Sequence, residues 1–252
     1  MKQTKFFIGI IFFIIVLNAC AKKQYEIKSV NGYLVEMNNA YDDRDGAKMS
    51  SIIQPYKIKL DARMNTIVGE AAKSLTKAGE QSVIANFTAD AMYEYATDIW
   101  GPIDFAIINN GGIRTTINQG PVTIGNLYEI YAFENTLVLI DLTGKAVKEL
   151  FASLALKKME GFSKSIKLVI KDKAIESFTI GGSALDEEAI YKVATVDYLA
   201  EGNDGMAALT LSTGYKDSNI VLRDAMIEYI KNLTLENKLI DANADERLDY
   251  KE

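Results

Sequence analysis

A turn rich in amide and glycine residues follows a short apolar run in the middle of the chain. It reads Asn109-Asn110-Gly111-Gly112-Ile113-Arg114 and comes directly after Phe105 to Ile108. The backbone amides of such a turn, together with the guanidinium of Arg114, could bind an anionic group. The hexapeptide lacks the spacing of a dinucleotide fingerprint or a Walker loop. Taken alone, it is more simply interpreted as a hairpin turn that carries a surface arginine.

Two further segments place an aromatic residue beside polar or turn-forming residues. Phe133 and Asn135 stand in a short polar break, Tyr131 to Asn135, and Tyr198 precedes the run Gly202-Asn203-Asp204-Gly205. An aromatic ring offers a face for stacking, and a carboxylate offers hydrogen-bond acceptors. Taken singly, such an aromatic is more typical of a core, and such a run is more typical of an ordinary turn.

The absence of histidine restricts the chemistry available to the chain. Histidine is the usual general base near neutral pH and the commonest metal ligand. Ser-His-Asp and Cys-His catalysis are therefore excluded, and oxygen ligands alone favour Ca²⁺ or Mg²⁺ over catalytic zinc. A calcium-loop template matches Asp241, Asn243, Asp245, Asp249 and Glu252. Its glycine position holds Glu246, so we interpret the match as accidental and predict no metal or other cofactor in this chain.

The elements that must position these residues are predicted from apolar spacing. Helices are predicted from Met64 to Leu75, from Ile84 to Tyr95, after Thr143 as N-cap, and from Val221 to Leu233. Strands are predicted at Phe105 to Ile108, Thr136 to Leu142, Ile166 to Ile170, Ile175 to Ile180 and Tyr191 to Tyr198, with a hairpin link at Lys171 to Lys173. Helices and strands alternate without a strict βαβ order. The sequence therefore predicts a mixed α/β (α+β) fold, with a mixed sheet and packed helices.

The first 19 residues have the composition of a secretory signal peptide. They contain no acid, and Lys2 and Lys5 precede an uncharged, mostly apolar run from Phe6 to Leu17. Leu17 to Cys20 resembles a bacterial lipoprotein box, which implies that Cys20 becomes a lipidated N-terminus. A non-lipidated signal peptide with a chance cysteine is the alternative. We expect a lipid-anchored protein of the bacterial cell envelope, on its periplasmic or outer surface.

The remaining residues, 20–252, are predicted to form one domain, because they contain no internal repeat and no Pro/Ser-rich linker. Without Lys2 and Lys5, 26 basic residues stand against 34 acidic ones. An acidic surface of this kind argues against nucleic acid polymers as partners.

Order and spacing connect these segments to a known family. The turn at Asn109, the segment Phe133 to Leu137, Tyr191 to Gly205 and Asn86-Phe87-Thr88-Ala89-Asp90-Ala91 together resemble the C-terminal domain of the 5′-nucleotidase family. That domain supplies the substrate pocket in the family. The resemblance implies that Phe133 and Tyr198 sandwich a nucleobase and that Asp204 binds ribose. It assigns polar contacts to Asn109 and Arg114, and Asn135 lies on the same segment as Phe133.

Two positions depart from the family pattern. An arginine usually precedes the segment that matches Asn86, but residues 76–85 contain no arginine and offer Lys77 and Glu80 instead. Tyr198 stands where phenylalanine is common, which adds a hydroxyl to the expected stacking face.

Full-length members of the family carry an N-terminal metallophosphoesterase domain that binds two metals through His, Asp and Asn. The present sequence has no histidine for such a domain. The resemblance therefore implies a nucleotide- or nucleoside-binding half that is non-catalytic on its own. It would act with a separately encoded metallophosphoesterase that holds the divalent metals. The alternatives are an autonomous metal-dependent phosphoesterase and a structural envelope lipoprotein.

Overall fold

The computed structural model describes residues 26–36, 46–79, 81–155, 157 and 160–251. The predicted leader with Cys20, and also Glu80 and Glu252, lie outside these residues. The chain divides into two units, one up to Ile52 and one from Ile53 onward, and the site described below belongs to the second. Within the described ranges, no helix has the length and apolar character needed to cross a membrane.

The helices and strands of the described chain follow one another in a fixed order. They are α1 (Gly46–Met64), β1 (Ile67–Ala71), α2 (Val83–Trp100), β2 (Phe105–Ile108), β3 (Gly120–Thr123), α3 (Ile124–Ile130), β4 (Thr136–Thr143), α4 (Gly144–Leu154), β5 (Gly161–Phe162), β6 (Ile166–Lys171), β7 (Ala174–Ile180), β8 (Ser183–Ala184), β9 (Ile190–Val196), α5 (Asp197–Ala200), β10 (Gly214–Val221), α6 (Leu222–Leu235) and β11 (Leu248–Lys251). Short 3₁₀ turns cover Asn110–Gly112, Asn203–Gly205 and Ala207–Leu211.

A five-stranded mixed sheet forms the centre, in the order β10-β4-β9-β2-β5. Strand β4 runs antiparallel to β9 and β10, whereas β2 runs parallel to β9. All four residues of β2 are buried, as expected for a strand covered on both faces. The prediction of a mixed α/β fold is confirmed, and the end of the buried strand β2 delivers the Asn109 turn to the surface.

A smaller sheet has the order β11-β6-β7-β8. Its β6–β7 hairpin was predicted from sequence and is confirmed, and Asp172 and Lys173 at the turn both have positive φ. Strand β11 pairs in parallel with β6, with Leu248 opposite Leu168. The C-terminal residues are thereby incorporated into the fold.

Arg247 fastens this C-terminal strand to the helical layer. Its guanidinium is almost fully buried and binds both carboxylate oxygens of Asp90 on α2, at 3.1 and 2.9 Å. It also donates to Asp245 and to the carbonyl of Phe162 in β5. A buried cation is tolerated only where its donors are satisfied in this way.

One predicted helix is wrong. Residues Ile67–Ala71 form strand β1, and the helix on this side of the chain ends at Met64 instead of beginning there. Strand β1 pairs with β3 through a bulge between Ile67 and Gly69, so that its buried positions do not alternate strictly. A Cβ at Gly69 would lie 2.6 Å from the Cγ2 atom of Ile230 on α6. A glycine that permits this close packing also disfavours a helix.

The other predicted elements are present with small changes in length. Thr143 caps α4 as predicted, and its hydroxyl accepts a hydrogen bond from the Ala146 amide at 3.3 Å. The strand predicted to run to Tyr198 ends at Val196, so that Tyr198 lies on α5. Tyr198 is therefore carried by the short helix that follows the strand, and not by the sheet itself.

Candidate functional site

The turn after β2 forms one wall of a pocket. Asn109 directly follows the strand and is 3% exposed, although its side chain is polar. The 3₁₀ turn Asn110–Gly112 follows it, and the Arg114 amide then donates to the carbonyl of Ile130 at 2.8 Å. The guanidinium of Arg114 is exposed and donates to the Gly111 carbonyl at 3.2 Å. The turn is therefore fixed at both ends and leaves the arginine at the surface.

The second wall is the turn from Gly202 to Gly205, in which three residues have backbone φ angles in the left-handed region. Gly202, Asp204 and Gly205 have φ values of 86°, 52° and 72°. Aspartate is among the residues that tolerate this conformation best after glycine. The turn brings the Asp204 carboxylate against the first wall, where a Cβ at Gly111 would lie 3.4 Å from Oδ2.

The Asp204 carboxylate is held by two donors from different elements. The Nδ2 atom of Asn109 donates to Oδ2 at 2.5 Å, and the Tyr198 hydroxyl donates to Oδ1 at 3.1 Å. The hydrogen bond to Asp204 raises the pKa of Tyr198, because the carboxylate stabilises the protonated phenol. The buried Oδ1 atom of Asn109 has no hydrogen-bond partner within the described chain. The carboxylate is thus oriented before any ligand arrives.

All six binding residues predicted from the sequence meet at this pocket, which has a volume of about 300 Å³. With Gly111 and Gly112, its lining consists of Asn109, Arg114, Phe133, Asn135, Tyr198 and Asp204. The residues Phe133 and Tyr198 are 49% and 38% exposed, so neither is a core aromatic. The guanidinium carbon of Arg114 lies 5.7 Å from the centroid of the Phe133 ring. The pocket therefore combines two accessible rings, a carboxylate and a cation.

Three charged residues contact the two turns that form the walls of the pocket. Lys77 donates to the Ile113 carbonyl at 2.6 Å, and burial together with the charge of Arg114 lowers its pKa. Lys157 donates to the backbone carbonyl of Asp204. Glu160 accepts from the Asn110 amide at 2.7 Å, and burial raises the pKa of its carboxyl. Lys77 was identified from the sequence as a departure from the family pattern. Lys157 and Glu160 were not predicted, because no motif spacing links these loop residues to the turn.

Three of the five calcium-loop residues are engaged in other interactions. Lys73 pairs with Asp241 at 2.8 Å and also binds Asn243, while Asp245 is held by Arg247. In the part of the chain that the structure describes, no three or more His, Cys, Asp or Glu side chains are grouped to hold a metal ion. These residues therefore do not fit the pair of metal ions that a phosphoesterase centre would need.

Comparison with known proteins gives a consistent assignment. A family profile described as 5′-nucleotidase, C-terminal domain, matches residues 63–211. Protein UshA of Yersinia enterocolitica is 27% identical over 192 residues, which cover 73% of this chain and 34% of that protein. The chain thus spans about a third of the length of this relative.

Solved structures share the fold. The 5′-nucleotidase precursor of Thermus thermophilus superposes with a TM-score of 0.68 at 22% identity, covering 81% of this chain and 42% of that one. The NAD nucleotidase of Haemophilus influenzae gives a TM-score of 0.62 at 21% identity, covering 81% of this chain and 41% of that one. At this level of identity the likeness establishes the fold alone.

Proposed function

The chain belongs to the 5′-nucleotidase C-terminal domain family, and on that basis we propose that its pocket binds the nucleoside part of a nucleotide. One observation carries the proposal: side chains from three separated segments converge on a single pocket of about 300 Å³. These segments are Asn109–Arg114, Phe133–Asn135 and Tyr198–Asp204. A volume of this size lies at the lower end of small-molecule sites.

The aromatic residues supply the face that a nucleobase needs. Phe133 and Tyr198 line the pocket from different elements and expose large parts of their rings. Every base has a π-face, and stacking on an aromatic side chain contributes about 1–3 kcal/mol per base. An aromatic clamp of this kind tolerates different bases, so we expect it to provide affinity rather than base selectivity.

The polar residues supply recognition of the sugar and the anion. The Asp204 carboxylate accepts hydrogen bonds only, and Asn109 and Tyr198 fix its orientation. It is therefore suited to receive the two hydroxyls of a ribose. Arg114 offers a planar fork of donors for phosphate oxygens. Lys77 lies close enough for its pKa to be lowered by the charge of Arg114, so a second positive charge stands near it.

We further propose that the chain acts with a metallophosphoesterase that holds the divalent metals. The absence of histidine from the sequence supports this division of labour, and so does the lack of a metal-binding side-chain group among the described residues. The role of this chain would be to hold base and ribose so that the phosphate points at the partner's metal centre. Such positioning accelerates a reaction only when a catalytic group is present.

Ligand binding to the purified chain tests the first proposal. Adenosine and AMP should raise the melting temperature, because a ligand that binds only the native state stabilises it. By calorimetry, Phe133→Ala should lower adenosine affinity by about 1–3 kcal/mol, and Asp204→Ala should remove the preference for adenosine over 2′-deoxyadenosine. Tyr215→Ala is the matched control, because Tyr215 is 54% exposed but does not line the pocket. Unchanged affinity in both pocket variants would refute the assignment.

We also propose export and lipid anchoring through Cys20, on the basis of the leader sequence. A single acyl chain gives only marginal membrane binding, so stable attachment needs the several chains of a bacterial lipoprotein. Cys20→Ser should abolish labelled-lipid incorporation and release the chain from the membrane fraction. If the wild-type chain incorporates no lipid and the variant is recovered equally in membranes, the anchoring proposal is wrong.

A further inference from the structure

A buried arginine contacts the segment that carries Phe133. Arg223, in the first turn of α6, is 5% exposed. Its Nη1 atom donates to the Tyr131 carbonyl at 3.2 Å, and its Nη2 atom donates to the Glu134 carboxylate at 3.1 Å. Its guanidinium carbon lies 4.0 Å from the centroid of the Tyr128 ring. Arg223 thus contacts residues on both sides of Phe133 without lining the pocket itself.

The position of Arg223 is unfavourable for helix α6 by itself. The N-terminal end of a helix carries a partial positive charge, so a cation in the first turn is disfavoured there. Burial adds a desolvation cost, and the Nε atom has no hydrogen-bond partner within the described chain. Helix stability therefore does not account for the residue. Its side-chain hydrogen bonds and its cation–π contact are made with Tyr128 on α3 and with the segment that follows α3.

That segment, residues 131–135, is held at both ends by backbone and side-chain contacts. The Asn135 carbonyl accepts from the Leu222 amide at 2.9 Å, and the Tyr131 carbonyl accepts from Arg223. The Tyr131 hydroxyl lies 2.8 Å from the hydroxyl of Thr88. Phe133 lies between these anchors and is half exposed. Contacts of the neighbouring residues thus fix the backbone that carries the Phe133 ring.

We propose that Arg223 is a positioning residue for nucleobase binding, which it supports by holding the 131–135 segment so that Phe133 presents its ring to the pocket. This inference rests on the proposed function of the pocket. Arg223 touches no ligand in this scheme, and its whole effect on binding passes through Phe133. Tyr198 is carried by a different element, so its contribution should be independent of Arg223.

A double-mutant cycle with adenosine tests the proposal on the full chain. Arg223→Met retains much of the side-chain volume and removes both hydrogen bonds. Loss of a well-placed stacking face corresponds to about a 5- to 150-fold change in affinity. We expect Arg223→Met to weaken adenosine binding at least fivefold, near the lower end of this range. In a Phe133→Leu background it should have little further effect, whereas in a Tyr198→Leu background its full effect should persist.

Two further variants separate positioning from a general loss of structure. Arg223→Lys keeps the charge but loses the fork of donors, so it should show a smaller loss with the same dependence on Phe133. Tyr215→Ala, at an exposed residue that does not line the pocket, should change adenosine affinity less than twofold. Melting temperatures of all variants report folding, and if Arg223→Met does not fold, the cycle is run with Arg223→Lys.

The outcomes distinguish the two proposals. If the wild-type chain binds no nucleoside, the proposed function fails. If the wild type binds adenosine and the Arg223 variants bind it equally well, Arg223 is not a positioning residue for the Phe133 ring. The same conclusion follows if the Arg223 variants lose the same affinity with Phe133 as in the Phe133→Leu background. Coupling to Tyr198 instead of Phe133 would likewise overturn the inference.

Discussion

Asn109 shows how a single buried amide organises the site. One end of its side chain binds Asp204, while the Oδ1 end occupies the space beside Gly112, where an added Cβ would lie 2.7 Å away. Gly112 does not have a left-handed φ. Glycine is therefore required at this position for space rather than for backbone freedom. The neighbouring Gly111 is less restricted, since its Cβ would lie 3.4 Å from the nearest atom.

The pair of glycines gives a prediction at this scale. Gly112→Ala should displace the Asn109 side chain and, through it, the Asp204 carboxylate. We expect a lower melting temperature, by an amount typical of overpacking at about 1–3 kcal/mol, together with a loss of ribose discrimination. Gly111→Ala should retain the melting temperature. Equal melting temperatures in the two alanine variants would show that Asn109 is free to move.

At the residue level, the sequence predicted the six pocket residues through their order in a family pattern. Lys157, Glu160 and Arg223 could not be predicted in the same way. Lys157 and Glu160 lie in loops, and Arg223 follows Tyr131 by 92 residues. Their roles depend on which loops meet in space, and a single sequence does not contain that information.

The elements show where apolar spacing is informative and where it is ambiguous. Strands β2 and β4 were predicted to within one residue at each end, because runs of buried positions leave few alternatives. Helix α2 was predicted at the right place, but it extends to Trp100 instead of ending at Tyr95. Residues 67–71 were assigned to the wrong class. A bulge interrupts the alternation of buried and exposed positions in these five residues. Their apolar spacing therefore fits a helix as well as a strand, and only the pairing with β3 decides between the two.

The C-terminal strand β11 depends on Arg247, which gives a prediction at the scale of elements. Removal of one partner from a buried ion pair typically costs about 3–5 kcal/mol, so Arg247→Met should be strongly destabilising in urea unfolding. Lys167→Met is the control, because its pair with Glu246 is 3.5 Å long and solvent-exposed. It should cost at most about 1 kcal/mol. A small loss for Arg247→Met would show that β11 is held by strand pairing alone.

The ion pair between Arg247 and Asp245 makes the stability of the fold depend on pH. Burial alone would raise the pKa of Asp245, but hydrogen bonds and charge from Arg247 hold it below its usual value. A depressed carboxyl pKa stabilises the fold above the unfolded pKa of about 3.9, and this contribution is lost as the pH falls through the folded value. The stability difference between wild type and Arg247→Met should therefore narrow in acid.

For the whole molecule, the proposal of a separate metallophosphoesterase partner predicts when phosphate is released by this chain alone and when by the two proteins together. The purified chain alone should release no phosphate from AMP with any divalent metal, since dinuclear hydrolysis needs ligands for both ions. Addition of its metallophosphoesterase partner should give activity, and Arg114→Ala should lower that rate. Phosphate release by the lone chain that requires metal and disappears in Asp204→Ala would instead favour an autonomous enzyme.

The buried clamp at Arg247 also has a consequence for biosynthesis. Its guanidinium pairs with Asp90, which precedes it by 157 residues, and the adjoining strand β11 completes the smaller sheet. A ribosome makes Arg247 long after Asp90, so the ion pair of helix α2 cannot close until the residues between them have been synthesised. Contacts of such long sequence separation form slowly. For the exported chain proposed here, this delay would help the polypeptide to remain unfolded until it has crossed the membrane.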